Sequence, residues 1–333
     1  MSSPARRRNR ALLRAALASV VSVGVLVLAW RALGRSVEWE GIHVTPLPVV
    51  FAVAGALGFL AGRAWRFWLF LPRQRGAPVE LVGVTAASWA AGLLLPGPSA
   101  DIAFVGLARQ RLGVSVAHAS GVAVIARILD VVSLCFVAVL AALFTFGSES
   151  PALVATAALV GAAGAAGLVS LATPRPRRAI LRLASRIPRA GQYAERVDAS
   201  LDELATGRRW LGLVAATAAC RLATALQYSA LFTLVGLELG FWQTWFALSI
   251  RTLLFTIPIQ GIAGIGTGQA WWAGALLLEG VAAGDAVASG ITLQAIDLAV
   301  SLPVAGLMSL ALLRRRHRRG STSAAAAAES AAS

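Results

Sequence analysis

The stretch 115–146, SVAHASGVAVIARILDVVSLCFVAVLAALFTF, decides the fold. It runs well past the roughly 20 apolar residues that span a bilayer. Its ionisable side chains are His118, Arg127 and Asp130. A central Arg or Asp in a membrane helix costs about 2.5–3.5 kcal/mol even on cautious scales. Arg127 and Asp130 therefore have to be compensated or used. Similar apolar runs lie on both sides, at about 11–30, 47–71, 151–172, 210–236 and 286–313. The chain of 333 residues is 58% hydrophobic and only 14% charged, with a mean hydropathy of +0.74. Soluble domains carry about 25% charged residues, so this surface could not be covered with polar groups in water. The composition predicts an all-α polytopic membrane protein. It excludes a soluble enzyme and a secreted disulfide scaffold. The two cysteines, Cys135 and Cys220, sit inside apolar runs and read as reduced, packed thiols.

A net charge of +15 raises the question of nucleic acid, and the placement of the charge answers it. The arginines cluster at Arg6–Arg10, between Arg175 and Arg209, and at Arg314–Arg319, each time beside an apolar run. That is the positive-inside pattern, which anionic headgroups favour without any nucleic acid partner. It places residues 1–10, the linker 173–209 and the tail 314–333 in the cytoplasm of a bacterial-type plasma (inner) membrane. The first apolar run reads as an uncleaved anchor rather than a signal peptide. In the linker, Ile180, Leu183 and Ile187 alternate with Arg178, Arg182, Arg186 and Arg189. This suits either a basic helix on the membrane surface or a solvated linker. The Ala/Ser tail 321–333 reads as disordered.

Two apolar segments are interrupted. Pro96-Gly97-Pro98 breaks the stretch 79–112. Pro258 and the glycine run Gly264, Gly266, Gly268 break the stretch 242–278. Proline leaves backbone groups unpaired, and such a break inside a membrane survives only where protein or a watery cavity covers it. Both segments are expected to be re-entrant helical hairpins beside about six full spans. Halves of about 11–146 and 151–313 then echo each other. Gly113 precedes Asp130 by the interval that separates Gly280 from Asp297. Arg127 and Gln294 each stand three residues before the acid, and Arg63 matches Arg221. The hairpins enter from opposite sides, as in an inverted repeat built around a central binding site.

The chemistry is carried by ionisable residues inside apolar helices: Arg63, Arg66, Asp101, Arg127, Asp130, Arg221, Arg251 and Asp297. Arg127 and Asp130 lie at i, i+3 and can form a local ion pair. Asp297 has Gln294 in place of that arginine, so its partner is sought on another helix, Arg221 or Arg251. Arg63 and Arg66 either face a cavity or snorkel to the interface beside Trp65, Phe67 and Trp68. The arginine fork binds phosphate oxygens bidentately, which points to a phosphate headgroup. His43, His118 and His317 have no metal-ligand spacing, and His118 can simply meet a backbone carbonyl. The glycine run lacks the strand and Lys of a phosphate loop. Its glycines serve a sharp turn and close backbone approach. No cofactor, metal or catalytic constellation is expected.

Leu93-Leu94-Leu95-Pro96 leading to Asp101, the Arg127-x-x-Asp130 helix, and Pro258 with its glycine run and Gln269 follow one another in a set order. In these features the chain resembles the flippase-like family of the lysylphosphatidylglycerol synthase transmembrane region, over about residues 12–313. The resemblance implies an inner-membrane protein with re-entrant helices around a lipid headgroup cavity. The family's best-known members move an aminoacylated phospholipid between leaflets. Where the family's first hairpin carries Gly-Glu followed by Arg, this chain has Ala100-Asp101 and then Ile102, Ala103 and Phe104. The second hairpin's Glu is Gln269 here. The soluble aminoacyl-transferase domain does not follow the last span, so lysyl transfer is not expected. The function expected is translocation of an anionic phospholipid or polyprenyl-linked lipid by a flippase or scramblase. In it Arg127, Arg221 and Arg251 hold the phosphate while Asp130 and Asp297 orient them. The competing readings are a secondary transporter of a small polar solute, with Asp130 or Asp297 carrying a proton, and a membrane partner of a separate glycosyl- or acyltransferase docked through 173–209.

Overall fold

Thr45 is extended and Pro46 opens the first described helix, where its missing N–H costs nothing. The computed structural model describes residues 45–71, 78–95, 98–147, 207–255, 264 and 266–310, and isolated residues between 155 and 182. The expected spans at 11–30 and 151–172, both termini, nearly all of the linker, and Pro96 and Pro258 lie outside the described residues. The described chain is helical throughout: α1 Pro46–Phe70, α2 Pro78–Leu94, α3 Ser99–Leu112, α4 Val116–Phe146, α5 Gly207–Leu234, α6 Phe241–Leu254, α7 Thr267–Leu278 and α8 Ala283–Ser309.

Length divides these helices into two kinds. Helices α1, α4, α5 and α8 are long and apolar enough to cross a membrane. Helices α3, α6 and α7 have 14, 14 and 12 residues. At about 1.5 Å per residue they fall short of a hydrocarbon core of roughly 30 Å. The 17-residue α2 is apolar but also short. Each short helix packs on its neighbour, α2 on α3 and α6 on α7. Ser99 fastens the first pair by donating to the Leu95 and Ala91 carbonyls, and Gly92 lets Ala100 come close. Gly113 closes α3 with φ 65°, and Gly280 closes the turn after α7 with φ 83°. Both are left-handed positions that favour glycine. Ser115 then caps α4 by accepting from the His118 N–H.

The centre of the molecule is the antiparallel pair α1–α5. Gly55, Gly58 and Gly62 of α1 face Gln227, Ala223, Cys220 and Ala216 of α5. In a membrane, helices associate through such close van der Waals packing of small residues. Around this pair α4 lies on α6 and α8 lies on α2, while α3 packs on α4 and α7 on α8. Phe67 stacks on Phe104 at 4.0 Å in one apolar cluster, and fully buried Trp272 packs with Tyr228 and Phe232 in another. Both cysteines are free, Cys220 buried and Cys135 half-buried. His118 Nε2 lies 3.1 Å from the Phe70 carbonyl, as expected of an imidazole bonded to backbone.

A Cβ at Gly55 would sit 2.6 Å from the Gln227 backbone nitrogen and 2.7 Å from the Ala223 carbonyl oxygen, neither of which can swing away. Gly55→Ala is expected to destabilise the fold by about 1–3 kcal/mol. Gly106→Ala in α3, where a Cβ meets nothing within 4 Å, is expected to be neutral or slightly stabilising. Thermal unfolding of the two variants in detergent compares them directly.

Candidate functional site

Six helices each turn one stripe of side chains, spaced i, i+3 or i+4 and in three of them extending to i+7, toward a common interior. From α1 come Phe59 and Arg63, and from α2 Trp89, Gly92 and Leu93. Helix α4 contributes Arg127, Asp130, Val131 and Leu134, and α5 contributes Arg221, Thr224, Gln227 and Tyr228. Leu248, Arg251 and Thr252 of α6, with Phe255 just beyond it, and Gln294, Asp297 and Ser301 of α8 complete the wall. Together they line a cavity of about 210 Å³. Four guanidinium groups face two carboxylates across it, a surplus of two positive charges.

Asp130 is the best-bonded acid. Arg66 of α1 grips both carboxylate oxygens, Nη1 to Oδ1 at 2.7 Å and Nη2 to Oδ2 at 3.1 Å. Arg221 of α5 adds Nη2 to Oδ1 at 2.6 Å, reaches the Asp130 carbonyl at 3.2 Å, and donates through Nε to Ser133 Oγ. This corrects the i, i+3 pair with Arg127. Arginines from two facing helices reach the carboxylate with hydrogen-bond geometry, while Arg127 turns toward Asp101. It also corrects snorkelling for Arg66, which is only 2% exposed. The interfacial aromatics divide too, with Trp65 and Trp68 exposed and Phe67 in the core.

Asp297 is held differently. Gln227 Nε2 and Ser301 Oγ donate to Oδ1 at 2.9 Å each, and the Tyr228 hydroxyl donates to Oδ2 at 2.8 Å. Neither Arg221 nor Arg251 makes an ion pair with it among the described residues, contrary to expectation. Neutral donors placed on α5 and α8 fill the coordination instead, so the buried carboxylate is satisfied without a cation.

Three arginines keep donors to spare. Arg63 and Arg127 approach Asp101 only to 3.9 Å, beyond hydrogen-bond distance. Arg251 is stacked over Phe255 and Trp272, at 4.6 and 5.2 Å from the ring centroids, and reaches Gln294 Oε1 at 3.5 Å. The Nε atoms of Arg63 and Arg251 are buried with no hydrogen-bond partner among the described residues. Gln269 stands off the cavity wall. Its side-chain oxygen accepts from the Gly266 N–H and caps α7. Gly264 and Gly266 have φ 69° and 89°, and a Cβ on Gly268 would come within 3.1 Å of Gln294. The glycine run thus provides both the turn and the close approach. No group of three or more His, Cys, Asp or Glu among the described residues could hold a metal ion.

Of the expected site residues, Arg63, Arg127, Asp130, Arg221, Arg251 and Asp297 share the cavity, and Asp101 touches it through two of its arginines. Sequence reasoning missed Arg66 as the main partner of Asp130, and Gln227, Tyr228 and Ser301 as the setting of Asp297. The signal for the α5 residues is a polar stripe, Arg221, Thr224, Gln227 and Tyr228, in an otherwise apolar run.

Long apolar helices crossing around a charged interior define a multi-pass helical membrane protein. Residues 13–324 match the model of the family described as the lysylphosphatidylglycerol synthase TM region, and the chain belongs to that family. Comparison with curated proteins and with solved structures gives no match.

Removing the charge of Asp130 leaves Arg66 and Arg221 buried beside a neutral group. Asp130→Asn is expected to destabilise the protein by about 3–5 kcal/mol, the usual effect of breaking a buried pair. The triple change Arg66→Met, Asp130→Leu, Arg221→Met is expected to recover much of that loss. Melting temperatures in detergent measure both.

Proposed function

We propose that the protein translocates an anionic phospholipid or a polyprenyl-linked phosphate lipid, as a flippase or scramblase, by admitting the headgroup to this cavity. The observation that carries the reading is the set Arg63, Arg127 and Arg251. All three line the cavity, and no carboxylate takes their donors at hydrogen-bond distance. An anion entering there satisfies the buried donors of Arg63 and Arg251, which otherwise cost free energy, and meets the exposed charge of Arg127. Arg221, expected to hold the phosphate, is instead committed to Asp130 and Ser133. The cavity is below the 300–1,000 Å³ typical of drug-sized pockets. It suits a phosphate with a small polar substituent while the acyl or prenyl chains stay in the bilayer.

The proposed architecture is six spans with two re-entrant hairpins in an inverted repeat. The packing supports the repeat. Exchanging α1–α4 for α5–α8 leaves the main pattern of contacts in place, α4 on α6 becoming α8 on α2, and the corresponding helices α1 and α5 run antiparallel. A cavity between two oppositely oriented halves can be offered to either leaflet. The setting we propose is a bacterial-type plasma membrane with both termini cytoplasmic, with membrane lipids as partners and with a lipid-modifying enzyme able to dock on the basic linker. The reading is of a translocator and not of an enzyme. A proton-coupled solute transporter is less well supported at Asp130, whose two carboxylate oxygens are already taken by two arginines.

The test is transbilayer exchange of fluorescent phosphatidylglycerol in phosphatidylcholine vesicles holding the full chain, read by quenching of the outer leaflet with dithionite. Wild type is expected to expose the inner-leaflet probe. The double variant Arg63→Gln, Arg251→Gln, folded by its melting curve, is expected to slow exchange about tenfold, as loss of a charge-assisted hydrogen bond would. Quenching that stops at the outer-leaflet share, as in empty vesicles, overturns the reading for this lipid.

A further inference from the structure

We infer that Asp101 is a resident competitor for the lipid phosphate: it holds Arg63 and Arg127 in waiting by charge alone and releases both to the incoming headgroup. The inference rests on the headgroup reading above. It adds a specificity- and release-determining residue on the first hairpin that is not itself part of the cavity wall.

The contrast between two acids is the starting point. Asp130 takes its arginines at 2.6 and 2.7 Å. Asp101 has one arginine on each carboxylate oxygen, Arg63 Nη2 on Oδ1 and Arg127 Nε on Oδ2, both at 3.9 Å. At that separation attraction remains but no hydrogen bond is made. The guanidinium donors are therefore still available to an acceptor that can come closer. A phosphate brings several oxygens in the geometry that arginine forks prefer. It enters from the cavity side, because Arg63 and Arg127 both line the cavity and Asp101 does not.

Exposure separates the two clusters at one arginine only. Arg127 is 54% exposed and open to exchange, whereas Arg66 is 2% exposed and fixed. The two acids, at 29% and 25%, and the other two arginines, Arg63 and Arg221 at 14% and 11%, are alike, so it is distance that distinguishes them. Separation is made easier by where Asp101 stands. It lies in the first turn of α3, where the unpaired backbone N–H groups and the helix dipole favour a negative charge. When the arginines move to a ligand, the carboxylate keeps this support. It then draws them back as the headgroup leaves, which suits a translocator that must release what it binds.

Two opposed expectations follow for the same substitution. If Asp101 positions the arginines for the ligand, Asp101→Asn weakens anion binding. If it competes for them, Asp101→Asn strengthens binding, by about two- to fivefold for a partly exposed pair, and slows release. The experiment titrates short-chain dioctanoyl phosphatidylglycerol into the full chain in mild detergent, and titrates glycerol phosphate in parallel to tell the lipid from its free headgroup. Wild type, Asp101→Asn and Asp101→Glu are compared at low and raised salt. Tighter binding and slower dissociation in Asp101→Asn, with wild-type affinity restored in Asp101→Glu and the gain shrinking with salt, support the inference. Wild-type binding with an unchanged or weaker Asp101→Asn overturns it while leaving the headgroup reading intact. No binding of either probe by any of the three proteins overturns both.

Discussion

The described helices meet around one clasp, Asp130 between Arg66 and Arg221. A carboxylate and two guanidinium groups at membrane depth cannot stand alone. They are tolerable only as a hydrogen-bonded cluster, and that cluster requires α1, α4 and α5 to meet at one height. The small-residue face of α1 against α5 makes the approach possible, since Gly55, Gly58 and Gly62 bring the backbones together in the turns that lead up to Arg66. With the clasp closed, Arg63, Arg127 and Tyr228 of those helices are carried to the same interior by helical spacing alone. The cavity is thus a consequence of the way a buried charge cluster had to be satisfied.

Helices α1–α4 and α5–α8 make corresponding contacts but differ in charge. Asp130 is surrounded by arginines, while Asp297 is surrounded by an amide, a phenol and a hydroxyl. Gln294 stands where the first half has Arg127. Asp101 of α3 faces two arginines, whereas Gln269 caps its own helix, α7. Helices α1–α4 therefore carry a charged trio held beyond hydrogen-bond distance, and α5–α8 a largely neutral network in which Arg251 is the main cation. On the proposed reading, a site with spare charge at one end and neutral hydrogen bonding at the other binds an anion without trapping it, since the shortest ion pairs, at Asp130, are between protein groups.

Much of the fold is written in local pattern. Apolar runs of bilayer length, arginines flanking them and prolines or glycines interrupting two others follow from solvation and backbone sterics acting on each segment separately. They determine an all-helical membrane chain, the short helices that meet at the two breaks, and which ionisable residues are too costly to be incidental. Arg63, Arg127, Asp130, Arg221, Arg251 and Asp297 all reach one cavity, as their position inside apolar helices implies. The spacing of Gly113 before Asp130 and Gly280 before Asp297 also has a visible cause, a left-handed turn that ends one helix and starts the next.

Pairing was not legible in this way. The i, i+3 spacing makes Arg127 the obvious partner of Asp130, yet rotamers and a helix 64 residues away give that place to Arg66. Asp297 needed no cation, because Gln227, Tyr228 and Ser301 converge on it from two helices. Such choices depend on distances of a few tenths of an ångström between side chains distant in the chain, and no local spacing encodes them. The sequence by itself determined that charges would be buried in membrane helices and where along each helix they lie. Only the tertiary structure decided which charges neutralise one another and which are left with donors to spare, because hydrogen-bond energy is a short-range function of geometry that exists once the helices are packed.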